Sequence, residues 1–141
     1  ILVGFGPEEK NIRLLIKKYN LENDVLMIKN LHNPFWLIKK SSLLIMTSIY
    51  EGFPNVIVEA LTLNTPVIST NMNAGASEIL LNGRGGDLVK VGDVLNLSKR
   101  ISNFIADPSK LKNKMHKARE NLFRFDVELH HRIYNKIFKN V

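Results

Sequence analysis

Residues 43–61, "LLIMTSIYEGFPNVIVEAL", carry the pattern from which the fold can be predicted. Residues 43–47 form an apolar run of strand length, and a helical pattern begins at Pro54. One carboxylate, Glu51, lies in the connecting loop, and a second, Glu59, follows inside the apolar helix. An unpartnered carboxylate in a largely buried helix costs several kcal/mol or takes up a proton. We therefore expect Glu59 to have a specific partner.

The same alternation of apolar runs and helical patterns extends over residues 1–90. Strands that are apolar throughout and separated by helices indicate a parallel sheet covered on both faces. The sequence therefore predicts an α/β fold with a Rossmann-like, three-layer parallel sheet and helices on both faces. The predicted strands are 1–3, 25–28, 43–47, 66–69 and 87–89, and the predicted helices are 12–19, 34–40, 54–63 and 76–81.

Three amphipathic helices are predicted after the last strand. Pro108 separates the first from the second, and the stretch "RFD" at 124–126 separates the second from the third. Their apolar stripes are Val94, Leu97, Ile101, Phe104 and Ile105; then Leu111, Met115, Ala118, Leu122 and Phe125; then Leu129, Ile133, Tyr134, Ile137 and Phe138.

The composition excludes several classes of protein. A chain of 141 residues is long enough for a single domain with its own core. Cysteine is absent and the four histidines lack the spacing of a zinc motif, so we expect neither disulfides nor a metal site. A cytoplasmic location is the simplest expectation. No apolar stretch is long enough to span a bilayer, and a start other than methionine suggests a fragment.

The net charge of +7 arises in the last third of the chain. Residues 98–141 contain eleven Lys/Arg and four Asp/Glu, whereas residues 1–97 contain nine of each. A solvated helical face is the simplest interpretation. The alternative is peripheral contact with an anionic membrane, such as the inner face of the cytoplasmic membrane. Nucleic acid is not an expected partner.

The loop after residues 43–47 is the predicted ligand site, because open α/β sheets bind ligands at the carboxyl ends of their strands. Gly52 permits close approach of the backbone to a ligand, and Pro54 suits the first turn of a helix. Backbone amides at that helix start would face a sugar oxygen or a phosphate. These amides belong to Phe53, Asn55 and Val56. Glu51 and Glu59 could contact one ligand from two sides.

Two glycines after the first strand, Gly4 and Gly6, could also hold a phosphate. They do not complete a dinucleotide fingerprint. Glu9 stands where the third glycine is required, and Lys29 stands where an acidic residue would bind the ribose. A tight turn into a helix explains the two glycines equally well.

The stretch "NAGASEI" at 73–79 is a third loop that leads into a helix. Gly75 allows a close approach of the backbone, and Ser77 could cap the helix. Glu78 either binds a ligand or simply favours the helix start through the helix dipole.

"EGFPNVIVE" at 51–59 resembles the E-x7-E motif of retaining glycosyltransferases with the GT-B fold, in particular family 4, the glycosyl transferases group 1. This family builds lipopolysaccharide, capsule and lipid-linked glycans. Further stretches follow the family's order along essentially the whole chain. They are "LVGFGPE" at 2–8, Asn33–Pro34, "TPVIST" at 65–70, "GASEILLNGRGGDLV" at 75–89 and Asp93.

The resemblance implies that residues 1–141 form the nucleotide-sugar-binding, Rossmann-like domain at the C-terminal end of the GT-B fold. Glu51 would contact hydroxyls of the donor sugar as the catalytic positioning residue, and Glu59 would bind the ribose hydroxyls. The turn 52–56 would bind sugar and phosphate through its amides. Gly6 would lie near the donor phosphates, and residues 29–31 would lie near the base. Lys29 departs from the family's frequent glycine, which puts recognition of the base in doubt.

The resemblance further implies transfer of a hexose with retention, from a nucleotide diphosphate sugar to a glycan or lipid-linked acceptor. A UDP-sugar is the expected donor, and no metal or cofactor is implied. The Arg and Lys that hold the diphosphate in the family lie upstream of a "LVGFGPE" segment. We therefore expect a fragment that lacks the first strand and helix of this domain and the N-terminal acceptor domain. Such a fragment should be inactive alone.

Three alternatives remain open from the sequence. A glycan synthase or phosphorylase shares the GT-B fold, although a phosphorylase needs a lysine for pyridoxal phosphate. A nicotinamide oxidoreductase conflicts with Glu9 and Lys29. A noncatalytic nucleotide-binding Rossmann-like module would have no need for both Glu51 and Glu59.

Overall fold

The computed structural model of the chain describes residues 1–72 and 75–139. These residues form two compact units, Ile1–Pro34 and Phe35–Val141. Each unit is built from parallel strands that alternate with helices, as the sequence predicts.

The first unit is one β-α-β element. Strand β1 (Leu2–Val3) pairs in parallel with β2 (Met27–Ile28), and helix α1 (Glu9–Lys18) connects them. Strand β2 begins later than predicted, because the amide of Val25 donates to the carbonyl of Leu21 at 3.0 Å and is lost to the sheet.

In the described part of the second unit there are a three-stranded parallel sheet in the order β3-β4-β5 and six helices. Hydrogen bonding within the sheet aligns Ile45 with Ile68 and Ile68 with Asp87. In chain order the elements are α2 (Phe35–Lys40), β3 (Leu44–Met46), α3 (Asn55–Thr62), β4 (Val67–Thr70), α4 (Gly75–Ile79), β5 (Asp87–Val89), α5 (Val94–Ala106), α6 (Pro108–Glu120) and α7 (Val127–Lys139). Short 3₁₀ turns occupy Leu81–Gly83 and Leu122–Phe125.

The core of the second unit lies on both faces of the sheet. Side chains alternate along β4, so that Val67 and Ile68 are both fully buried but pack into different clusters. Helices α2, α3, α4 and α6 contribute to the cluster around Val67, and α5 with α6 contributes to the cluster around Ile68. This arrangement confirms the predicted α/β fold with helices on both faces.

The helices that follow β5 begin at the predicted breaks, and an aspartate accepts from a free amide at the start of each. The Asp93 carboxylate accepts from the amide of Asn96 at 3.0 Å and caps α5, while Asp107 accepts from the amide of Ser109 at 3.1 Å and caps α6. At the start of α7, the Asp126 carboxylate accepts from the amide of Leu129 at 2.9 Å. Hydrogen bonds from Ser109, first its side chain and then its amide, lower the pKa of Asp107 below its ordinary value. All three helices therefore start where a side chain accepts from a free amide.

The apolar stripes of these three helices are buried to different extents. The α6 stripe is confirmed, since Leu111, Met115 and Ala118 are buried. In α5 only the central part of the stripe packs, and the predictions for Val94 and Ile105 are wrong, because these side chains are 72% and 73% exposed. The stripe of α7 is exposed along Ile133, Tyr134, Ile137 and Phe138. No helix among the described residues has both the length and the apolar character needed to cross a membrane.

Candidate functional site

The loop 48–54 leaves the carboxyl end of β3 beside the carboxyl end of β4, as predicted for a ligand site. Thr70, the last residue of β4, donates its hydroxyl to the carbonyl of Ser48 at 2.6 Å. The Ser48 hydroxyl in turn donates to the Glu51 carboxylate at 2.9 Å. Glu51 is half-buried and therefore has a fixed direction, set by two residues that sequence reasoning did not select.

Helix α3 carries Glu59 on its half-exposed side. Ile57, Ala60 and Leu61 are fully buried, whereas Val58 and Glu59 are only half-buried. The expectation of a largely buried helix holds for the side that packs on the core, whereas the other side remains partly accessible. Within the part of the chain that the structure describes, the Glu59 side chain has no hydrogen-bond or ion-pair partner. The expected partner is thus not supplied by these residues.

The turn between Glu51 and α3 presents two free backbone donors. The amide of Asn55 already donates to the carbonyl of Phe53 at 3.0 Å, so it is not available in this conformation. The amides of Phe53 and Val56 donate to no acceptor among residues 1–72 and 75–139. Two of the three predicted donors are therefore free at the start of a helix, where the dipole favours an anion.

Gly52 and Gly75 differ in the room that the protein leaves for a side chain. A Cβ atom on Gly52 would meet nothing within 4 Å, so the folded chain itself does not require glycine there. A Cβ atom on Gly75 would lie 2.6 Å from Cδ of Pro54 and 3.2 Å from the carbonyl of Gly52. The predicted close approach at Gly75 is confirmed, and it is made by the turn itself.

The 3₁₀ turn Leu122–Phe125 also contacts this region. The ring of Phe125 meets the ring of Phe53 edge-on, with centroids 5.3 Å apart and planes at 62°. The Arg124 guanidinium donates to the carbonyl of Glu78 at 3.3 Å. Sequence reasoning placed Phe125 only in a helical core stripe, and no local pattern indicates a contact with a residue so far away along the chain.

Of the two polar side chains predicted in the stretch 73–79, Ser77 is hydrogen-bonded within the protein and Glu78 is exposed. Ser77 does not cap α4 as predicted; it lies inside the helix and donates its hydroxyl to Asn82 at 2.6 Å. The Glu78 side chain is exposed and has no partner among the described residues. No group of three or more His, Cys, Asp or Glu that could hold a metal occurs in the described part of the chain.

In the first unit, the two residues that contradict a dinucleotide fingerprint form an ion pair. The Glu9 carboxylate lies 3.5 Å from Nζ of Lys29 and 2.9 Å from the guanidinium of Arg13. The hydrogen bond from Arg13 is the main cause that lowers the pKa of Glu9 below its ordinary value. Gly4 has φ +145°, a conformation that favours glycine, whereas Gly6 has space around it and no such requirement.

We compared the chain with known protein families and with individual known proteins. Residues 1–122 match the family model described as glycosyl transferases group 1. An uncharacterized glycosyltransferase of Methanocaldococcus jannaschii is 42% identical over 80 residues, 57% of this chain and 20% of that protein. The N-acetylgalactosamine-N,N'-diacetylbacillosaminyl-diphospho-undecaprenol 4-alpha-N-acetylgalactosaminyltransferase of Campylobacter jejuni is 29% identical over 126 residues, 89% of this chain and 34% of that protein.

Among solved structures, Anabaena HepE in complex with UDP superposes with a TM-score of 0.89 at 27% identity. The match covers 99% of this chain and 40% of HepE. The chain thus spans between a fifth and two-fifths of the length of these relatives. Because the family model matches residues 1–122 of 141, the chain belongs to the glycosyl transferases group 1 family.

Proposed function

We propose that residues 1–141 form the donor-binding part of a retaining, family 4 hexosyltransferase that moves a sugar from a nucleotide diphosphate sugar to a glycan or lipid-linked acceptor. The reaction class is that of lipopolysaccharide, capsule or similar polysaccharide biosynthesis. Relatives named for such roles, including a capsular polysaccharide biosynthesis glycosyltransferase of Staphylococcus aureus, support this assignment.

One observation carries the proposal. Glu59 has no partner among the described residues, although it lies on a helix whose other side is buried, and Glu51 is fixed at the start of the same motif. A donor that brings neighbouring hydroxyls to Glu59 supplies the missing hydrogen-bond partners. We assign Glu59 to the ribose of the nucleotide and Glu51 to the hydroxyls of the transferred sugar.

The remaining contacts follow from the free amides. The amides of Phe53 and Val56 donate to oxygen atoms of the sugar or the phosphate, and Gly52 leaves room for them to approach. Pro54 and Asn55 shape the turn. Gly6, in the first unit, is a separate proposal for phosphate binding.

In this mechanism the protein positions groups and stabilises charge. The bond between the sugar and the donor phosphate breaks while the sugar gains a bond to the acceptor oxygen, and the proton of the acceptor hydroxyl passes to the departing phosphate oxygen. Stereochemistry is retained and no covalent protein intermediate forms. Glu51 keeps the sugar in line, and backbone amides stabilise the negative charge that develops on the departing nucleoside diphosphate. No metal or cofactor is part of the proposal.

A UDP-sugar is the proposed donor, a choice supported by HepE structures that contain UDP and UDP-glucose. The test is ligand-observed NMR with UDP, GDP, ADP and NADH on the protein at its native length. We expect selective binding of UDP, reduced about tenfold or more by Glu59→Ala, because a hydrogen bond to a charged group contributes about 1.5 to 3 kcal/mol.

Glu120→Ala is the matched control, since Glu120 is an exposed glutamate at the end of α6. It should bind UDP as the unmodified protein does. Binding of NADH alone would refute the transferase assignment, and equal UDP binding by Glu59→Ala and Glu120→Ala would refute the role of Glu59.

We also propose a peripheral, cytoplasmic-side membrane contact through the basic C-terminal helices. Helix α7 exposes Ile133, Tyr134, Ile137 and Phe138 in a region with eleven Lys/Arg and four Asp/Glu, a combination typical of interfacial helices. Sedimentation with vesicles tests it. Binding should increase with the fraction of phosphatidylglycerol, and binding that ignores lipid charge would contradict it.

A further inference from the structure

The 3₁₀ turn Leu122–Phe125 connects the donor-site turn to a segment whose last three residues lie outside the family match. The match ends at residue 122, so that Arg124 and Phe125 follow it. Phe125 nevertheless provides the edge-on ring contact to Phe53, at 5.3 Å between centroids. Phe53 lies between Gly52 and Pro54 and carries one of the two free amides.

Arg124 contacts both the Phe125 ring and helix α4. Its guanidinium carbon lies 5.1 Å from the centroid of the Phe125 ring, a cation–π geometry. The same guanidinium donates to the carbonyl of Glu78 at 3.3 Å. The ring is therefore tied to α4 as well as to the core against which Phe125 packs.

The donor-site turn is thus supported from two sides. Gly75 at the start of α4 lies close to Pro54, since a Cβ atom added to Gly75 would be only 2.6 Å from Cδ of Pro54. Phe125 supports Phe53, whose side chain is still 41% exposed and has no other ring contact among the described residues. Without Phe125, the Phe53 side chain loses its ring contact, and the turn that carries the Phe53 amide loses one of its two supports.

We propose that Phe125 is a positioning residue for the nucleotide sugar. By packing against Phe53 it holds in place the turn that carries the amides of Phe53 and Val56, and it acts on the donor without touching it. This inference rests on the proposed function, because it assumes that these two amides bind the donor. It makes the segment after residue 122 a determinant of donor affinity.

The test compares Phe125→Leu with Phe123→Leu in the protein at its native length. Phe123 lies in the same turn, is 63% exposed and has no ring contact in the described part of the chain. Phe125→Tyr serves as the conservative variant, since it keeps the ring. The measurements are ligand-free amide chemical shifts of Gly52, Phe53 and Val56, the dissociation constant for UDP-glucose, and thermal unfolding.

We expect Phe125→Leu to shift the three amides and to weaken UDP-glucose binding about three- to tenfold, the equivalent of losing one aromatic pair. Phe123→Leu should change neither, and Phe125→Tyr should stay close to the unmodified protein. A folded Phe125→Leu with unchanged amides and unchanged affinity overturns the positioning role.

Two further results are decisive. Should Phe125→Leu not fold, Phe53→Leu removes the same ring contact from the exposed side, and unchanged UDP-glucose affinity there overturns the proposal. If the unmodified protein binds neither UDP nor UDP-glucose, the proposed function fails and the positioning role fails with it. Loss of UDP-glucose affinity in Phe125→Leu but not in Phe123→Leu supports both the proposed function and the positioning role.

Discussion

The turn 51–56 has a packed side, where residues contact the rest of the chain, and an open side, where residues make no such contact in the described part of the chain. On the packed side, the hydroxyls of Thr70 and Ser48 donate hydrogen bonds of 2.6 and 2.9 Å, and Gly75 leaves no room for a Cβ atom beside Pro54. On the open side, a Cβ atom added to Gly52 would meet nothing within 4 Å, and Glu59 has no partner among the described residues. Packed-side residues therefore stabilise the fold, whereas the open side is where we propose that the donor binds.

Gly75→Ala should have the largest effect on the packed side. The new Cβ would meet the ring of Pro54 and the carbonyl of Gly52, neither of which can yield as a flexible side chain would. Overpacking costs about 1 to 3 kcal/mol, offset in part by the better helix propensity of alanine, so we expect a net loss of about 2 kcal/mol. Urea unfolding measures it. An unchanged midpoint would remove the distinction between the two sides.

Thr70→Val should have the next largest effect. Valine keeps the shape but removes the hydroxyl that donates to the Ser48 carbonyl at 2.6 Å, which leaves that carbonyl without its donor. We expect a loss of about 1 kcal/mol in the free energy of unfolding and a changed environment of Glu51.

Thr62→Val is the control for this substitution, because the Thr62 hydroxyl donates to the carbonyl of Val58 at 2.8 Å on an exposed surface. Water can replace that bond, so the loss should stay below about 0.5 kcal/mol. Equal losses for Thr70→Val and Thr62→Val would show that burial of the strand-end bond is unimportant.

Gly52→Ala should have the smallest effect on stability. Nothing in the chain obstructs the added methyl group, and we expect a change within about 0.5 kcal/mol. UDP-glucose affinity should nevertheless fall about tenfold, since the methyl group occupies space that a closely approaching ligand needs. Stability loss with unchanged affinity would reverse the assignment of Gly52 to the open side.

Much of the fold could be predicted from local pattern. All five strands were found within two residues of the predicted bounds, and Pro108 separates α5 from α6 as expected. Pro54 and Pro108 marked the starts of α3 and α6, since proline suits the first turn of a helix, whereas the caps by Asp93 and Asp107 were not predicted. The burial of the apolar helix stripes was predicted less well, as in α5. Helical spacing shows that a helix has an apolar side, but it does not show how much of that side the sheet covers.

The sequence by itself determined the order of strands and helices and the spacing of Glu51 and Glu59, because periodicity and turn residues act over a few positions. Tertiary structure alone decided which side of α3 is open, that Thr70 and Ser48 orient Glu51, and that Phe125 meets Phe53. The contacts of Thr70 with Ser48 and of Phe125 with Phe53 join residues distant along the chain, whereas Ser48 and Glu51 lie three residues apart. Their geometry depends on the stacking of parallel strands and on the helices packed over them, which no local pattern specifies.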